Sequence, residues 1–518
     1  MARDMRRGRV RGILLLAAST LLARASAAQP VAYFPKNGAT GVNPDTHLVV
    51  TCPEAPALGT AGTIRIYDAA DGRLVDTLDL SLPPGPTAGP GALAGRVPYT
   101  PVPYAYTPGH RATNADTVPG TPSGVATPTP RTAQLTIIGG FTDAFHFYPV
   151  IVHGRVATIY PHNDLLTYGH TYSVGIDPGA LTCGRALAGV TGARAWRFST
   201  RRAPPRAGAS RVVVAADGSG DFNTVQGALD FVPDRGAARV TIFVRNGDYE
   251  EIVYARNKSN VTIEGEDRDK VRIHYANSEI FNPHPANVAT NEWPGTFPSR
   301  RAAFMLDQAE GIRLENLTIR NTARGQAEGL LMTGEHNLLS RVSVYGSGDA
   351  LQVNGSTYVA DSLIVGDGDT VLTRGPVFFR DSELRSRGPF TWTRNTAANH
   401  GAVFVNCRLT AIGGEPAVIA RAPANGGRTY PNVEVVLISC TLDGVSPAGW
   451  GEIGGDAAQV HLWEYDSRNP DGSPQDVSGR HPASRRLRRD ADAQTIANYS
   501  NPAWVLDGWS PGTAPSRD

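Results

Sequence analysis

The feature that most constrains the fold of this chain is a short motif that recurs in its second half. Its six copies read RLENLTI, LLSRVSV, YVADSLIV, FFRDSEL, VFVNCRL and VLISCTL. They are aligned on Leu317, Arg341, Ser362, Ser382, Cys407 and Cys440, at intervals of 24, 21, 20, 25 and 33 residues. Such a repeat, with strand-like runs and turns, is typical of a solenoid whose coils bury one shared apolar column. Because the repeated residues are β-branched and aromatic, we predict a parallel β-helix rather than leucine-rich or helical repeats.

Residues 29–200 have a different texture, with short strands separated by turns. Segments such as GTIRIYDAADGRLVDTLDL alternate apolar and polar residues, as half-buried strands do. The opening PKNGATGV and the closing WRFST are similar to bacterial immunoglobulin-like modules, so we predict a β-sandwich that acts as a spacer or adhesion module. Residues 81–132 form a Pro/Gly/Thr-rich insertion with little regular structure expected, and residues 201–210 form a basic linker.

The first 28 residues are typical of a secretory signal peptide. The basic stretch MARDMRRGRVRG precedes the apolar run ILLLAASTLL and the small-residue segment ARASAAQP, which places cleavage near Ala27 or Ala28. The apolar run is too short to span a bilayer. We therefore expect a secreted protein, extracellular or periplasmic, with no membrane partner.

Charge and cysteine usage narrow the class of protein further. The formal net charge of the 518 residues is +1, which disfavours a nucleic-acid partner. The cysteines form no CxxC motif and no Cys/His cluster with zinc spacing, so we expect no metal and no cofactor. Cys52, Cys183, Cys407 and Cys440 allow three disulfide pairings in an exported protein. Cys407 and Cys440 share one repeat position, which fits either a bond between them or a stacked pair of thiols.

Several segments after residue 210 resemble the pectinesterase (pectin methylesterase) family and keep its order. They are VVVAADGSGDFNTVQGALDFVP at 212–233, IFVRNGDYEEIV, NVTIEGEDRDKVRI, IRLENLTIRNTARGQAEGL at 312–330, AGWGEI and HLWEYDSRNPDG. The resemblance covers about residues 211–510 and implies a right-handed parallel β-helix of the pectin lyase-like type as the catalytic domain, residues 211–518. The chain is thus predicted to be all-β, a β-helix preceded by an immunoglobulin-like β-sandwich, and to be a divergent family member of bacterial type.

The resemblance also implies four catalytic residues. The family's Gly-Gln-Ala segment falls on residues 325–327 and makes Gln326 the donor that stabilises the oxyanion. The general acid/base falls on Asp349 and the nucleophile on Asp369. The arginine that holds the nucleophile falls on Arg421, with Arg428 in GGRTYPN as the alternative.

The spacing of the two aspartates supports their pairing independently of the family. Asp349 and Asp369 are 20 residues apart, about one coil of the solenoid, so we expect them one above the other on one face. Neighbouring carboxylates separate their titrations, and a cation beside one keeps that one ionised. Arg421 would thus hold Asp369 as the anion while Asp349 keeps its proton longer. The turn GDGDT also contains Asp367, but the register favours Asp369.

Further positions bear on substrate binding and on turnover. Trp392 and, less favourably, Trp450 are candidates for stacking on a sugar, with a place in the core as the alternative for both. Arg394, together with Arg374, is a candidate for lining a groove that binds the polyanionic product. Where the family has a second glutamine beside its acid/base, this chain has Gly348. One oxyanion donor is worth about two to three powers of ten in rate, so this departure bears on activity.

These residues predict a carbohydrate esterase that hydrolyses the methyl esters of pectin to pectate and methanol through an aspartyl acyl-enzyme. Pectin is the expected partner, and we expect a monomer. Two alternatives remain: a β-helix enzyme acting on another ester, and a non-catalytic polysaccharide-binding protein with a decayed site, which Gly348 favours. A calcium-dependent pectate lyase is disfavoured because the segments follow the esterase order.

Overall fold

The computed structural model describes residues 30–85, 134–139, 145–192, 196–282, 299–421, 424–425, 428–451, 453 and 457–512. The predicted signal peptide and most of the predicted insertion lie outside the described residues. Within these ranges the chain forms mainly strands, accompanied by the short helices Val225–Phe231, Ala493–Tyr499 and Pro502–Val505. No helix in these ranges has the length and apolar character needed to cross a membrane.

Two small sheets form the N-terminal part of the protein. The four-stranded sheet is ordered Ala32–Phe34, Leu48–Thr51, Val156–Ile159 and Val150–His153. The five-stranded sheet is ordered Ala39–Val42, Arg197–Thr200, Thr171–Ile176, Thr63–Asp68 and Leu74–Asp79. Two-stranded ladders join Ala57–Leu58 to Leu181–Thr182 and Leu135–Thr136 to Phe145–His146. Neighbouring strands are antiparallel apart from the parallel pair of Ala39–Val42 with Arg197–Thr200.

The two sheets share one core, which confirms a β-structure for this part of the chain. Burial alternates along Thr63–Asp68, so the strand turns one face inward, and its Ile64 packs in a cluster with Val50 of the other sheet. Cys52 and Cys183 form a disulfide within this part, whereas Cys407 and Cys440 are free, buried thiols. Cys407 and Cys440 are therefore a stacked pair of thiols and not a disulfide. The immunoglobulin-like character of the sheets stays a prediction.

Three parallel sheets make up the second part and confirm the predicted β-helix. An eleven-stranded long sheet contains Arg211–Val214, Val240–Val244, Val261–Gly265, Arg313–Glu315, Asn337–Ser340, Thr357–Ala360, Val377–Arg380, Ala402–Val405, Glu434–Ile438, His461–Tyr465 and Ser484–Arg486. An eight-stranded middle sheet contains Gly247–Glu250, Val271–Tyr275, Thr318–Asn321, Ser343–Tyr345, Leu363–Gly366, Glu383–Ser386, Arg408–Ala411 and Thr441–Asp443. A six-stranded site sheet contains Val253–Arg256, Phe304–Asp307, Leu330–Thr333, Leu351–Asn354, Val371–Thr373 and Thr391–Thr393.

A tight corner between the long and middle sheets explains the sequence repeat and corrects its alignment. One residue of each corner has a positive φ between 49° and 58°, and these residues are Asn316, Arg341, Asp361, Asp381, Asn406 and Ser439. The next residue points into the core, and Ser343 pairs with Leu363 in the middle sheet. Val342 therefore occupies the repeat position, and the alignment on Arg341 was wrong by one residue. With Val342 in place, Asp349 and Asp369 follow their repeat positions by the same number of residues.

The N-terminal part packs directly on the start of the β-helix. Asp45 Oδ2 accepts hydrogen bonds from the backbone N–H of Asn223 and of Thr224, both at 2.8 Å, at the start of the helix that caps the first coil. Phe145 lies 4.7 Å from Tyr254 of the site sheet, measured between ring centroids. The guanidinium of Arg300 lies 3.9 Å from the centre of the Phe145 ring. The N-terminal part thus covers the first strands of the site sheet.

The C-terminal helices are held to the long sheet by one buried carboxylate, Glu434. Its Oε1 lies 2.7 Å from His400 Nδ1 and its Oε2 lies 2.8 Å from His461 Nδ1. Tyr499, at the end of the helix Ala493–Tyr499, donates its hydroxyl to Oε2 at 2.9 Å. Burial favours the neutral acid, but the hydrogen bonds from His400 and His461 outweigh it and lower the pKa of Glu434 to about 2.

Glu434→Gln is expected to lower the free energy of unfolding by about 2–3 kcal/mol at pH 7, measured by urea denaturation. Since the pKa of Glu434 is depressed to about 2, its contribution is complete above the unfolded value near 4.3 and is lost as the pH falls toward 2. The difference between native and variant proteins should therefore shrink between these pH values. Glu383→Gln, on a surface pair with Arg385, is the control and should change stability by less than about 0.5 kcal/mol. An unchanged difference at low pH would contradict this account.

Candidate active site

Three carboxylates occupy the same position in three consecutive coils, just before the strands of the site sheet begin. Leu330, Leu351 and Val371 are paired in register across neighbouring parallel strands. Glu328, Asp349 and Asp369 each lie two residues before these positions. Neighbouring strands are about 4.8 Å apart, so the three side chains form one column, which we call the acid column. The prediction that Asp349 and Asp369 lie on adjacent coils is confirmed by this register.

Tight turns place the residues of the acid column directly before the strands of the site sheet. Asp369 has a φ of 46°, which aspartate tolerates better than most residues. Gly348 has a φ of 71°, and a Cβ there would lie 2.9 Å from the carbonyl oxygen of Gly325. A side chain at 348 is therefore disfavoured by the backbone itself. The absence of a second glutamine is built into this turn rather than being a simple exchange of side chains.

Arg421 contacts Asp369 across the end of the site sheet. Its Nη1 donates to Asp369 Oδ2 at 2.6 Å, and the two side chains are 35% and 15% exposed. Ala420 bridges to Thr391 in the last strand of the site sheet, which brings Arg421 over the acid column. Asp369 Oδ1 is buried and accepts no hydrogen bond from the described residues. One oxygen of Asp369 is thus anchored by Arg421, and the other has no hydrogen-bond donor among the described residues.

The two sequence alternatives for this pair have different surroundings. Asp367 is exposed and contacts Ser347 Oγ at 2.7 Å and Arg387 Nε at 3.1 Å. Arg428 lies in a short ladder of Ala424–Asn425 with Arg428–Thr429, and its side chain is outside the described residues. The contact with Arg421 therefore distinguishes Asp369 from its neighbour.

Arg301 joins three polar side chains at the other end of the acid column. Its Nε donates to Glu328 Oε1 at 2.5 Å and its Nη2 donates to Asp349 Oδ2 at 3.0 Å. Its Nη1 donates to Gln326 Oε1 at 2.7 Å. Gln326 is exposed, while Glu328 is fully buried. Arg301, which the sequence analysis did not single out, thus bridges the predicted Gln326 and Asp349.

Burial and neighbouring charges shift the pKa values of the three acids to different extents. The pKa of Asp349 is raised to about 7, because burial and then the charge of Glu328 raise it more than Arg301 lowers it. Burial also raises the pKa of Asp369, but there Arg421 opposes it through charge and a hydrogen bond. Burial raises the pKa of Glu328, against the pull of Arg301. Of the two aspartates, Asp349 is the one whose neutral form is favoured by neighbouring carboxylates, so it is suited to carry the proton.

The residues predicted to bind substrate lie next to this column. Trp392 is 6% exposed, and the guanidinium carbons of Arg394 and Arg421 lie 3.3 Å and 3.8 Å from the centre of its ring. A sugar can stack on Trp392 only where one of these arginines moves aside. Trp450 is buried in the long hydrophobic core of the β-helix. Burial, together with the charge of Arg394, lowers the pKa of Arg374 to about 10.

Arg301, Glu328 and Gln352 are the residues of the site that the sequence did not reveal. With its amide oxygen facing Arg374, Gln352 accepts from Nη1 at 2.6 Å and donates to Glu328 Oε1 at 3.2 Å. The signal for Glu328 was its place in GQAEGL, directly after the predicted Gln326 and Ala327. Arg301 carried no signal except its position in PSRRAAF.

The fold and the acid column define a parallel β-helix protein with paired carboxylates where the strands of one sheet begin. Residues 211–505 match the family model described as pectinesterase. Because this match covers more than half of the chain, the protein belongs to the pectinesterase family.

Individual relatives are distant. A probable pectinesterase/pectinesterase inhibitor of Arabidopsis thaliana is 30% identical over 278 residues, 50% of this chain and 50% of that protein. Pectinesterase 1 of Solanum lycopersicum is 27% identical over 270 residues, 49% of this chain and 47% of that protein. The chain thus spans about half the length of the curated relatives it matches.

Two solved structures are also similar to this chain. Pectin methylesterase from carrot has 21% identity and a TM-score of 0.48, covering 58% of this chain and 94% of its own. Pectin methylesterase PemA from Erwinia chrysanthemi has 19% identity and a TM-score of 0.44, covering 59% of this chain and 99% of its own.

Proposed function

We propose that this protein is a secreted pectin methylesterase that hydrolyses methyl esters of polygalacturonate to pectate and methanol. The observation that carries the proposal is Asp369, with one oxygen held by Arg421 and the other without a hydrogen bond from the described residues, beside Asp349 on the adjacent coil. A carboxylate held in this way is oriented for attack on a carbonyl carbon. Membership of the family supports the same reaction.

In the first half of the reaction, a carboxylate oxygen of Asp369 attacks the ester carbonyl carbon and the carbonyl oxygen takes up the negative charge. Gln326 Nε2 donates a hydrogen bond to this oxyanion. As the intermediate collapses, the bond to the methoxy oxygen breaks, and Asp349 transfers its proton to that oxygen, so that methanol leaves. The product on the enzyme is an anhydride between Asp369 and the galacturonate carboxyl group.

In the second half, Asp349 is ionised and takes a proton from water as the water attacks the anhydride. Cleavage of the anhydride returns Asp369 as the carboxylate and releases galacturonic acid, which loses its proton to the solvent and becomes galacturonate. Arg421 stabilises Asp369 as the anion, which is both the nucleophile of the first half and the leaving group of the second. No further reactant is needed to balance the two halves.

Export and substrate binding are supported by other residues. The disulfide of Cys52 with Cys183 is typical of an oxidising compartment outside the cytoplasm, in agreement with the predicted signal peptide. Arg394 and Arg421 flank Trp392 next to the acid column, so cations are available for the carboxylates of partly demethylated pectin.

The test is methanol release from highly methylated pectin by the purified mature protein, followed together with the acid produced. We expect equal amounts of methanol and acid. Absence of methanol would overturn the proposal: binding of pectin without hydrolysis would then favour the decayed-site alternative that Gly348 supports, and acid release from a different ester would favour another substrate. Formation of unsaturated sugar ends would instead indicate a lyase.

A further inference from the structure

The reaction above assigns no part to the ion pair of Arg301 and Glu328. The two side chains are 15% and 0% exposed, with 2.5 Å between Arg301 Nε and Glu328 Oε1. Removing such a pair from water has a desolvation cost that its attraction only partly offsets, so a buried ion pair is weak evidence for stability. Its position at the edge of the acid column points to the reaction instead.

Arg301 fixes the orientation of the Gln326 amide. Its Nη1 donates to Gln326 Oε1 at 2.7 Å, and a guanidinium has donors only. Gln326 must therefore turn its oxygen toward Arg301, because the opposite orientation would set N–H groups against each other. The planar amide then directs Nε2 away from Arg301. Since an oxyanion can accept only from Nε2, this contact selects the useful orientation of an otherwise exposed side chain.

The same guanidinium holds the carboxyl group that transfers the proton. Nη2 of Arg301 donates to Asp349 Oδ2 at 3.0 Å while Nε is anchored on Glu328. A planar group with donors at fixed angles sets the relative placement of its acceptors, which a lysine ammonium cannot do. Arg301 thus spans the oxyanion donor and the acid/base from one rigid group. Because position 348 is glycine, the placement of Gln326 matters more here than where two glutamines share the task.

We propose that Arg301, anchored by Glu328, is a positioning residue for the esterase reaction, orienting Gln326 toward the oxyanion and holding Asp349 beside it. The inference rests on the proposed function. Glu328 takes part through Arg301 and through its charge, without contact with the substrate.

The charges that face Asp349 give this inference a pH signature. They are Glu328, Arg301, Asp369 and Arg394. The charge of Glu328 raises the pKa of Asp349, whereas Arg301 lowers it. Removing the charge of Glu328 alone should therefore move the alkaline limb of the rate profile to lower pH. A residue that only supports the fold would leave that limb in place.

The main test compares two double variants that remove a buried ion pair without leaving an unpaired charge. R301Q/E328Q is expected to lower kcat by about 10²-fold, the effect of a misplaced oxyanion donor, with KM changed by less than about threefold. The control is R480Q/E464Q, since Arg480 Nε and Glu464 Oε1 are 2.7 Å apart with side chains 4% and 3% exposed. It should lose similar stability with kcat unchanged. A folded R301Q/E328Q protein with native kcat would overturn the inference.

Two single variants separate positioning from charge balance. Arg301→Lys keeps the charge opposite Glu328, so a structural role predicts native kcat, whereas positioning by the fork predicts a loss of at least about tenfold. Glu328→Gln should shift the alkaline limb downward, and an unchanged limb would count against the inference. If the native protein releases no methanol, both the proposed function and this inference are wrong. If the native protein is active and depends on Asp369 but not on Arg301, the inference alone fails.

Discussion

Asp369→Asn is expected to lower kcat for methanol release from methylated pectin by about 10⁴-fold or more. Asparagine has nearly the shape of aspartate and also tolerates a φ of 46°, so the turn should keep its conformation. The amide does not form the acyl-enzyme, and Arg421 loses the anion that it contacts at 2.6 Å. Initial rates at saturating pectin, compared between native and variant proteins, give the measurement.

Asp367→Asn is the matched control for this variant. Asp367 belongs to the same turn but is exposed and contacts Arg387 rather than Arg421, so its loss should change kcat by less than about threefold. An Asp369→Asn protein that retains more than about a tenth of the native kcat would contradict the assignment of the nucleophile. A large loss in Asp367→Asn instead would transfer that assignment to Asp367.

The fold was predictable because a β-helix repeats one local solution. Each corner needs a residue that accepts a positive φ, then a small or apolar residue that points inward, and the sequence shows this motif directly. The alignment failed only at Arg341, where an arginine has the positive φ that Asn316 and Asp361 have in their own coils. Strand register in the structure, not residue type, identified Val342 as the inward residue.

The site was predictable as far as it follows from the repeat. Asp349 and Asp369 are one coil apart in sequence, so their proximity follows from the coil length. Arg421 reaches Asp369 across 52 residues, and only the family resemblance anticipated that contact.

Arg301 and Glu328 could not be anticipated in this way. Their coil is longer, with Phe304 paired to Leu330, so their proximity depends on the register of the site sheet rather than on a fixed interval. A glutamate after a glycine-rich segment reads as solvent-exposed, since an unpaired buried carboxylate is rare. The buried Glu328 is stabilised by Arg301 from the preceding coil. This contact exists only in the folded protein and has no signal in the local sequence.

Asp349→Asn is expected to lower kcat by about 10²–10⁴-fold, the usual contribution of a general acid/base. The native protein needs Asp349 protonated for departure of methanol, and the pKa of Asp349 is raised to about 7. Its kcat/KM should therefore fall as the pH rises through about 7, because the proton is lost there. Asparagine does not titrate, so the residual activity of the variant should lack this alkaline limb.

A change of leaving group gives this prediction its sharpest form. A nitrophenol leaves without a proton, so with a nitrophenyl ester of galacturonic acid the first half of the reaction no longer needs Asp349. The second half still needs a base to activate water. Asp349→Asn should therefore give a rapid burst of about one nitrophenol per active site, followed by a slow steady state, whereas Asp369→Asn should give no burst. Equal impairment of the burst on both esters would mean that Asp349 acts other than by transferring a proton, and persistence of the alkaline limb in the variant would assign that titration to a different group.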